Sequence, residues 1–375
     1  MNRKSWNKAL PIAYAGTALL MLSPIVNAGK SEVTLSGQVN RAVWYADDGV
    51  DTNTSFVDNN VSSSRFRLKA KRALDNEITF GMEIELEVPS NFSDDVTIDQ
   101  DSAQSFKFAE RKIEAYMDTT AGRLWLGQGD TASNSASESD LSGVTAISTA
   151  ELWKFGGGLT FRCKKEGDAV CDEQGFLAEK GTIKNVFDDF DGFSRQDRIR
   201  YDTPNMGGLM LSASAMDGDA WDIAARFNNE FNGMKIKAAI AYASGQNFRS
   251  FEDQMNGSLS VAYSGLSLTL GAGRQTFDVK GREDPLFYYG KLGYEVNASP
   301  IGSTALAVDY GYTESESVNN DEATTYGAFI VQNFKDAGTE LYLGYRLHSL
   351  DREIGGQTAD LEDISVLMSG LRVKF

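Results

Sequence analysis

Beyond roughly its first thirty residues, the chain is written almost throughout with a period of two. Val33, Leu35, Val39 and Val43 alternate with Thr34, Ser36, Gln38 and Asn40. Phe66, Leu68 and Ala70 alternate with Arg65, Arg67, Lys69 and Lys71, and Ile78, Phe80, Met82, Ile84, Leu86 and Val88 with Thr79, Gly81, Glu83, Glu85 and Glu87. Successive side chains of a strand point to opposite faces, so each segment has one apolar and one polar or charged face. After the N-terminus no apolar run reaches the ~18 residues a spanning helix needs. A strand that faces lipid requires apolar residues only at every second position.

Sixteen such segments can be placed, near 31–46, 62–74, 76–88, 106–119, 122–130, 195–203, 208–217, 219–231, 233–243, 254–263, 266–276, 285–296, 302–313, 322–334, 338–349 and 363–375. Tight junctions (Asp75-Asn76, Thr120-Ala121, Asn232-Gly233, Ser264-Gly265, Asp336-Ala337) alternate with long polar connections, and only Asp217-Gly218 breaks the rhythm. An even strand number with short turns on one side and long loops on the other is the pattern of an outer-membrane barrel. Proline, which cannot donate into a ladder, is scarce at 6 residues against 36 glycines, 21 phenylalanines and 14 tyrosines. The fold expected is all-β: a 16-stranded antiparallel transmembrane β-barrel. Aromatic residues near strand ends, among them Trp44, Tyr45, Tyr116, Trp125, Tyr201, Tyr263 and Tyr288, fit an interfacial girdle.

The N-terminus reads as a secretory signal peptide over residues 1–28. Arg3, Lys4 and Lys8 precede a short apolar stretch from Ala9 to Leu22, and Val26-Asn27-Ala28 supplies small residues at the cleavage positions. The barrel then occupies 29–375. The whole chain has 36 basic and 53 acidic residues; without the leader 33 remain against 53, a net charge of −20. A surface this acidic excludes the phosphate backbone of nucleic acid as a partner.

Several segments resemble those of Gram-negative general porins: Val33-Thr-Leu-Ser-Gly-Gln-Val-Asn-Arg-Ala42, Ser64-Arg-Phe-Arg-Leu68, Gly122-Arg-Leu-Trp-Leu-Gly-Gln-Gly129, Arg198-Ile-Arg-Tyr-Asp-Thr-Pro204 and the terminal Phe375. The look is nearest to trimeric porins of the Rhodobacter type. The resemblance implies a water-filled channel in the outer membrane, reached through the periplasm, for passive diffusion of ions and small hydrophilic solutes. It also implies a homotrimer, with Phe375 as the signal read by the barrel-assembly machinery. Gly37 marks a close backbone approach on the first strand that suits a subunit contact.

The resemblance further implies that the third long loop, about 131–194, folds inward and narrows the pore. Its acidic residues would be Glu138, Asp140 and Glu151. Strand parity places Arg65, Arg67, Lys69, Lys71, Arg123, Arg198 and Arg200 on the polar face, where opposed charges would select solutes by size and charge. The loop is unusually long and holds the only two cysteines, Cys163 and Cys171, whose default state in an oxidising compartment is a disulfide.

With a single histidine, His348, a metal centre or a catalytic triad has few ways to form, so no cofactor is expected and an enzyme is disfavoured. Calcium at Asp47, Asp48 and Asp51 or at Asp94, Asp95, Asp99 and Asp101 is open on oxygen content alone, although the EF-hand order is missing. A receptor or adhesin using its long loops is the other functional class the pattern permits.

Overall fold

The computed structural model describes residues 31–74, 77–88, 90–100, 108–165, 170–245, 251–354 and 357–375. The leader at 1–28, the turn at Asp75-Asn76 and the acidic Asp101 lie outside them. The strands are β1 (Ser31–Asp47), β2 (Thr52–Asp58), β3 (Arg65–Ala73), β4 (Thr79–Glu87), β5 (Ala109–Thr119), β6 (Gly122–Asp130), β7 (Arg195–Asp202), β8 (Leu209–Met216) and β9 (Trp221–Phe231). They continue as β10 (Met234–Ser244), β11 (Asp253–Tyr263), β12 (Leu266–Thr276), β13 (Leu286–Ser299), β14 (Gly302–Glu314), β15 (Glu322–Phe334), β16 (Thr339–Asp351), β17 (Glu353–Ile354), β18 (Gln357–Thr358) and β19 (Ile364–Lys374). Three of these, β2, β17 and β18, belong to connections; the other sixteen are the barrel.

Every barrel strand pairs antiparallel with its sequence neighbour, and the ring closes between the ends of the chain. β19 pairs with β1 from Gln38↔Lys374 to Asp47↔Ser365, while β1 pairs with β3 from Ser31↔Arg72 to Gln38↔Arg65. Closure gives each of the sixteen barrel strands a partner on both sides. The short β2 folds back on the upper half of β1 inside what the sequence marks as a plain connection.

The alternation falls as the pattern requires. On β13, Leu292 is 60 % exposed and its neighbour Lys291 is 1 % exposed. Leu126, Val308, Leu268 and Tyr326 likewise face outward, whereas Asp309, Thr325, Arg346 and Asn256 face in. A belt of exposed apolar side chains around a closed polar interior is stable only against lipid. The same parity divides the aromatics. Tyr45, Tyr201, Tyr263, Tyr288, Tyr310 and Tyr345 are outward, but Trp44, Tyr289 and Tyr342 are buried inside, and Tyr116 and Trp125 lie on the inner face beside Arg123, so these five do not belong to a girdle. The reason is register: Trp44 shares its face with Asn40, Ala42 and Ala46.

Two glycines make close packing possible. A Cβ on Gly37 would stand 2.5 Å from the ring of Phe375 and 2.8 Å from the Arg65 carbonyl. Gly37 and Phe375 also exchange backbone hydrogen bonds of 2.9 and 3.0 Å. The space at Gly37 is thus filled by the chain's own C-terminus, which removes the glycine as an argument for a subunit contact. At Gly311 a Cβ would overlap Leu152 of the third loop.

Candidate functional site: the inner wall and the loop packed on it

On the inner wall the basic residues are matched in register by carboxylates one strand away. Because β3 and β4 are joined by a tight turn, Arg65 stands opposite Glu87, Arg67 opposite Glu85 and Lys69 opposite Glu83. Arg67 pairs with Glu83 at 3.0 Å and closely with Glu85, Lys69 with Glu83 at 3.1 Å, and Arg65 with Glu85 at 3.9 Å. A β-bulge in the β4–β5 ladder lets two successive residues reach the same face. Arg111 meets Glu85 at 2.6 Å and Glu87 at 2.7 Å, while Lys112 meets Asp130. Further round, Arg198 pairs with Glu114, Arg200 with Asp202 at 2.9 Å, and Lys71 with Glu32 at 2.9 Å. Arg123 pairs with Asp118 at 2.5 Å between the rings of Tyr116 and Trp125.

Parity therefore brings all seven predicted bases to one face. It does not leave them as a free positive wall, because each lies within 4 Å of a carboxylate: Glu83 or Glu85 for Arg65, Arg67 and Lys69, Glu32 for Lys71, Asp118 for Arg123, Glu114 for Arg198 and Asp202 for Arg200. The glutamates at every second position of 83–87, equidistant from the turn, were the sequence signal for this pairing.

The loop from 131 to 194 runs along the opposite arc. Ala132 and Ser133 donate to Asp222 of β9, Ser139 N donates to Ser258 Oγ at 2.8 Å, and Leu141 N to Ser260 Oγ at 3.0 Å. Ser148 Oγ donates to Asp309 of β14 at 2.7 Å, and Arg346 of β16 joins the same carboxylate at 2.7 Å. His348 places Nε2 3.1 Å from the Phe155 carbonyl and its ring against Phe187. The most buried anchor is Lys291, which donates to Asp140 at 2.7 Å and to the Ser148 carbonyl at 2.8 Å with its side chain fully enclosed.

Apolar packing accompanies these bonds. Val144, Ile147, Leu152, Phe155, Leu159 and Phe161 of the loop form one cluster with Trp44, Phe287, Phe329, Tyr342, Val366 and Met368 of the inner wall. The interior is thus apolar along part of its circumference, where the sequence pattern predicts a polar lining throughout. A segment this rich in phenylalanine is poorly suited to lie in solvent, and that was the available clue.

Above this core the loop reaches the outer connections. Arg162 holds Asp48 at 2.6 Å and Asp51 at 2.9 Å, Lys164 N donates to Asp360 O, and Arg352 donates to the Glu179 and Lys180 carbonyls. Cys163 and Cys171 form a disulfide in this finger. Four of the acidic groups considered for calcium have protein partners: Asp48 and Asp51 have Arg162, Asp94 accepts from Asn60 at 2.7 Å, and Asp95 lies 3.6 Å from Lys184.

The three predicted loop acids have separate fates. Asp140 is neutralised at the wall by Lys291, and Glu151 pairs with Lys154. Glu138 instead converges with Asp189 and Asp191, which sequence reasoning did not single out. Their carboxylate oxygens lie within 4.8 Å of one another, the spacing at which a cation can be shared. Burial is the main cause that lifts the Glu138 carboxyl, to about 7, with Glu151 adding to it. Asp189 and Asp191 rise well above the ordinary carboxylate range, first by burial and then by repulsion from Glu138. Asp140 goes the other way. Burial alone would raise it, but Lys291 and Ser142 more than offset that, so it lies below the usual value.

A closed barrel with an apolar exterior, a salt-bridged inner wall and a long loop laid along that wall defines an outer-membrane channel protein. Residues 15–352 match the model of the Gram-negative porin family. The chain belongs to that family, and it forms an outer-membrane channel for passive diffusion of ions and small hydrophilic solutes. Among solved structures, the anion-selective porin of Comamonas acidovorans superposes with a TM-score of 0.59 at 18 % identity, covering 92 % of this chain and 100 % of that one. The trimer form of in-vitro folded OmpT of Vibrio cholerae gives 0.54 at 12 %, covering 92 % and 99 %. OmpF of Salmonella typhi, in complex with daunomycin, gives 0.55 at 12 %, covering 92 % and 97 %. No match was found among curated proteins.

Proposed function

We propose that the loop at 131–194 constricts the channel and confines the solute path to the arc of the barrel it leaves free. The supporting observation is its chain of contacts along the inner wall from β8 to β16, while the charged faces of β3 to β6 carry their own salt bridges. Size selection then follows from the remaining cross-section, and charge selection from whichever fixed charges stay unpaired along it. No catalytic group is assigned: His348, the one histidine, is enclosed by the loop it contacts. Planar-bilayer recording of the purified protein is the direct test. Discrete, long-lived conductance steps are expected, and a protein that inserts yet never conducts would remove the channel reading.

The assembly we infer is a homotrimer, exported with loss of residues 1–28 and inserted by the barrel-assembly machinery. Arg41 supports a protein neighbour at β1. It points outward between Val39 and Val43, half-exposed, where it lies 3.8 Å from Asp58 and donates to the Ser90 carbonyl at 2.8 Å; a polar protein surface suits such a site better than lipid. The trimer form of V. cholerae OmpT has the same fold. Cross-linking in mild detergent should trap three chains, and a species that stays monomeric at every detergent concentration argues against it. For Phe375, the exposed terminal aromatic, Phe375→Ser should reduce outer-membrane levels several-fold. Once formed, the barrel should keep most of its heat stability, since the β19–β1 ladder is untouched. Normal surface levels of the variant would leave Phe375 as a packing residue for Gly37 only.

A further inference from the structure

Beside the loop lies a cavity of about 710 Å³ lined by residues from separate connections. The loop contributes Glu151, Asp188, Asp189 and Asp191; the connection after β14 contributes Glu316, and the one after β12 contributes Arg282. Among the described residues, no lysine or arginine nitrogen comes within 4 Å of the carboxylates of Asp188, Asp189, Asp191 or Glu316. Their partners are neutral: Phe190 N donates to Asp188 at 2.8 Å, Ser137 Oγ to Asp189 at 2.9 Å, and Ser135 N to Asp191. Glu316 carries a second, independent sign. Its Oε2 is sealed from bulk solvent and has no hydrogen-bond partner at all.

Four of the bases near the cavity have partners other than these carboxylates. Lys154 pairs with Glu151, Lys184 lies 3.6 Å from Asp95, Arg195 lies 3.0 Å from Asp130, and Arg282 donates to the Glu316 main-chain carbonyl. Lys180 also lines the cavity, exposed at its outer side. The wall bases lie on other strands, most of them against carboxylates that they share, such as Glu85 between Arg65, Arg67 and Arg111. At this cavity the unbalanced charge is negative, and it comes from two directions.

Resting on the channel reading above, we propose that Asp188, Asp189, Asp191 and Glu316 determine this pore's charge selectivity, and that they select cations. In a narrow aqueous space with low-dielectric walls, fixed carboxylates concentrate counter-ions and exclude anions. Selection arises where acids from two connections face one cavity, rather than from acids opposed to a basic wall.

The experiment is the reversal potential of the full-length protein in a planar bilayer under a KCl gradient at pH 9, where Asp188 and Glu316 are both ionised. Wild type should prefer K⁺. The double variant Asp188→Asn, Glu316→Gln should lower the K⁺/Cl⁻ permeability ratio by about threefold, because near-isosteric neutral side chains remove charge and leave the cross-section. Glu173→Gln with Asp217→Asn, both exposed on outer connections, is the control; such charges are screened over about 10 Å at 0.1 M salt. Should the double variant fail to insert, Glu316→Gln alone reads the same ratio, since Glu316 lies outside the packed loop. A wild type that prefers Cl⁻, or variants with normal steps and an unchanged ratio, would overturn the proposal. Absence of steps in wild type would instead strike at the channel reading itself.

Discussion

Replacing Lys291 by Met is expected to release the loop and give a larger, noisier open channel. Lys291 is enclosed on β13, and its ammonium is shared between Asp140 and the Ser148 carbonyl, two points of the loop eight residues apart. Methionine fills similar volume but leaves Asp140 against the wall without its cation. Removing one partner of a buried pair costs about 3–5 kcal/mol, mostly from the stranded charge. The sixteen-strand ladder does not depend on this pair, so the loss should fall on the loop. Single-channel conductance should rise, by about twofold if the loop leaves its arc of the lumen, and open-state current noise should rise with it. Adding Asp140→Asn to Lys291→Met removes the stranded charge and should recover part of the wild-type conductance. Conductance and noise identical to wild type in the single variant would mean that Ser148–Asp309, His348 and the apolar cluster hold the loop unaided.

The strands were legible because their signal is local. A period of two needs no knowledge of distant residues, and it placed sixteen strands within a few positions of those observed. The same parity, applied to neighbouring strands, contained the wall's neutrality. Arg65, Arg67 and Lys69 and Glu87, Glu85 and Glu83 are equidistant from one turn, so their pairing follows from antiparallel register. Considering the arginines alone suggested a positive wall; considering both strands gives a balanced one.

What could not be read is what meets across the barrel. Lys291 and Asp140 are separated by 151 positions, and nothing near either residue announces the other. Trp44 illustrates the same limit. Its place near a strand end suggests a girdle, but its partners are in a loop and on strands more than a hundred positions away. The acids that matter to the cavity were also hidden. Glu138, Asp140 and Glu151 look alike in sequence, yet one pairs with a wall lysine, one with a loop lysine, and one converges with two other carboxylates. That difference is set by tertiary packing, which also recruits Asp188, Asp189, Asp191 and Glu316.

Because those carboxylates are crowded and buried, the pore's cation preference should depend on pH well above the range where ordinary carboxylates titrate. Burial is the leading cause at each of them. It lifts Asp188 to about 6, and it lifts Glu316 to about 8 with Asp188 adding repulsion. Glu138 stands at about 7. The other groups facing them are Glu151, Lys154, Lys180, Lys184, Arg195 and Arg282. On acidification the cavity therefore loses negative charge. The K⁺/Cl⁻ permeability ratio should be highest at pH 9 and fall steadily to pH 5, with most of the change between about 6 and 8. Asp188→Asn with Glu316→Gln should flatten that profile. The sign for stability follows from the same shifts. A carboxyl whose folded value lies above its unfolded one stabilises the fold when protonated, and that contribution is lost as pH rises through the folded value. Protease resistance of the loop should accordingly decline from pH 5 to pH 9 while the barrel stays intact. A permeability ratio that is flat over this range and turns only near pH 4 would mean that these acids are solvated and ordinary, and that selection is made elsewhere along the path.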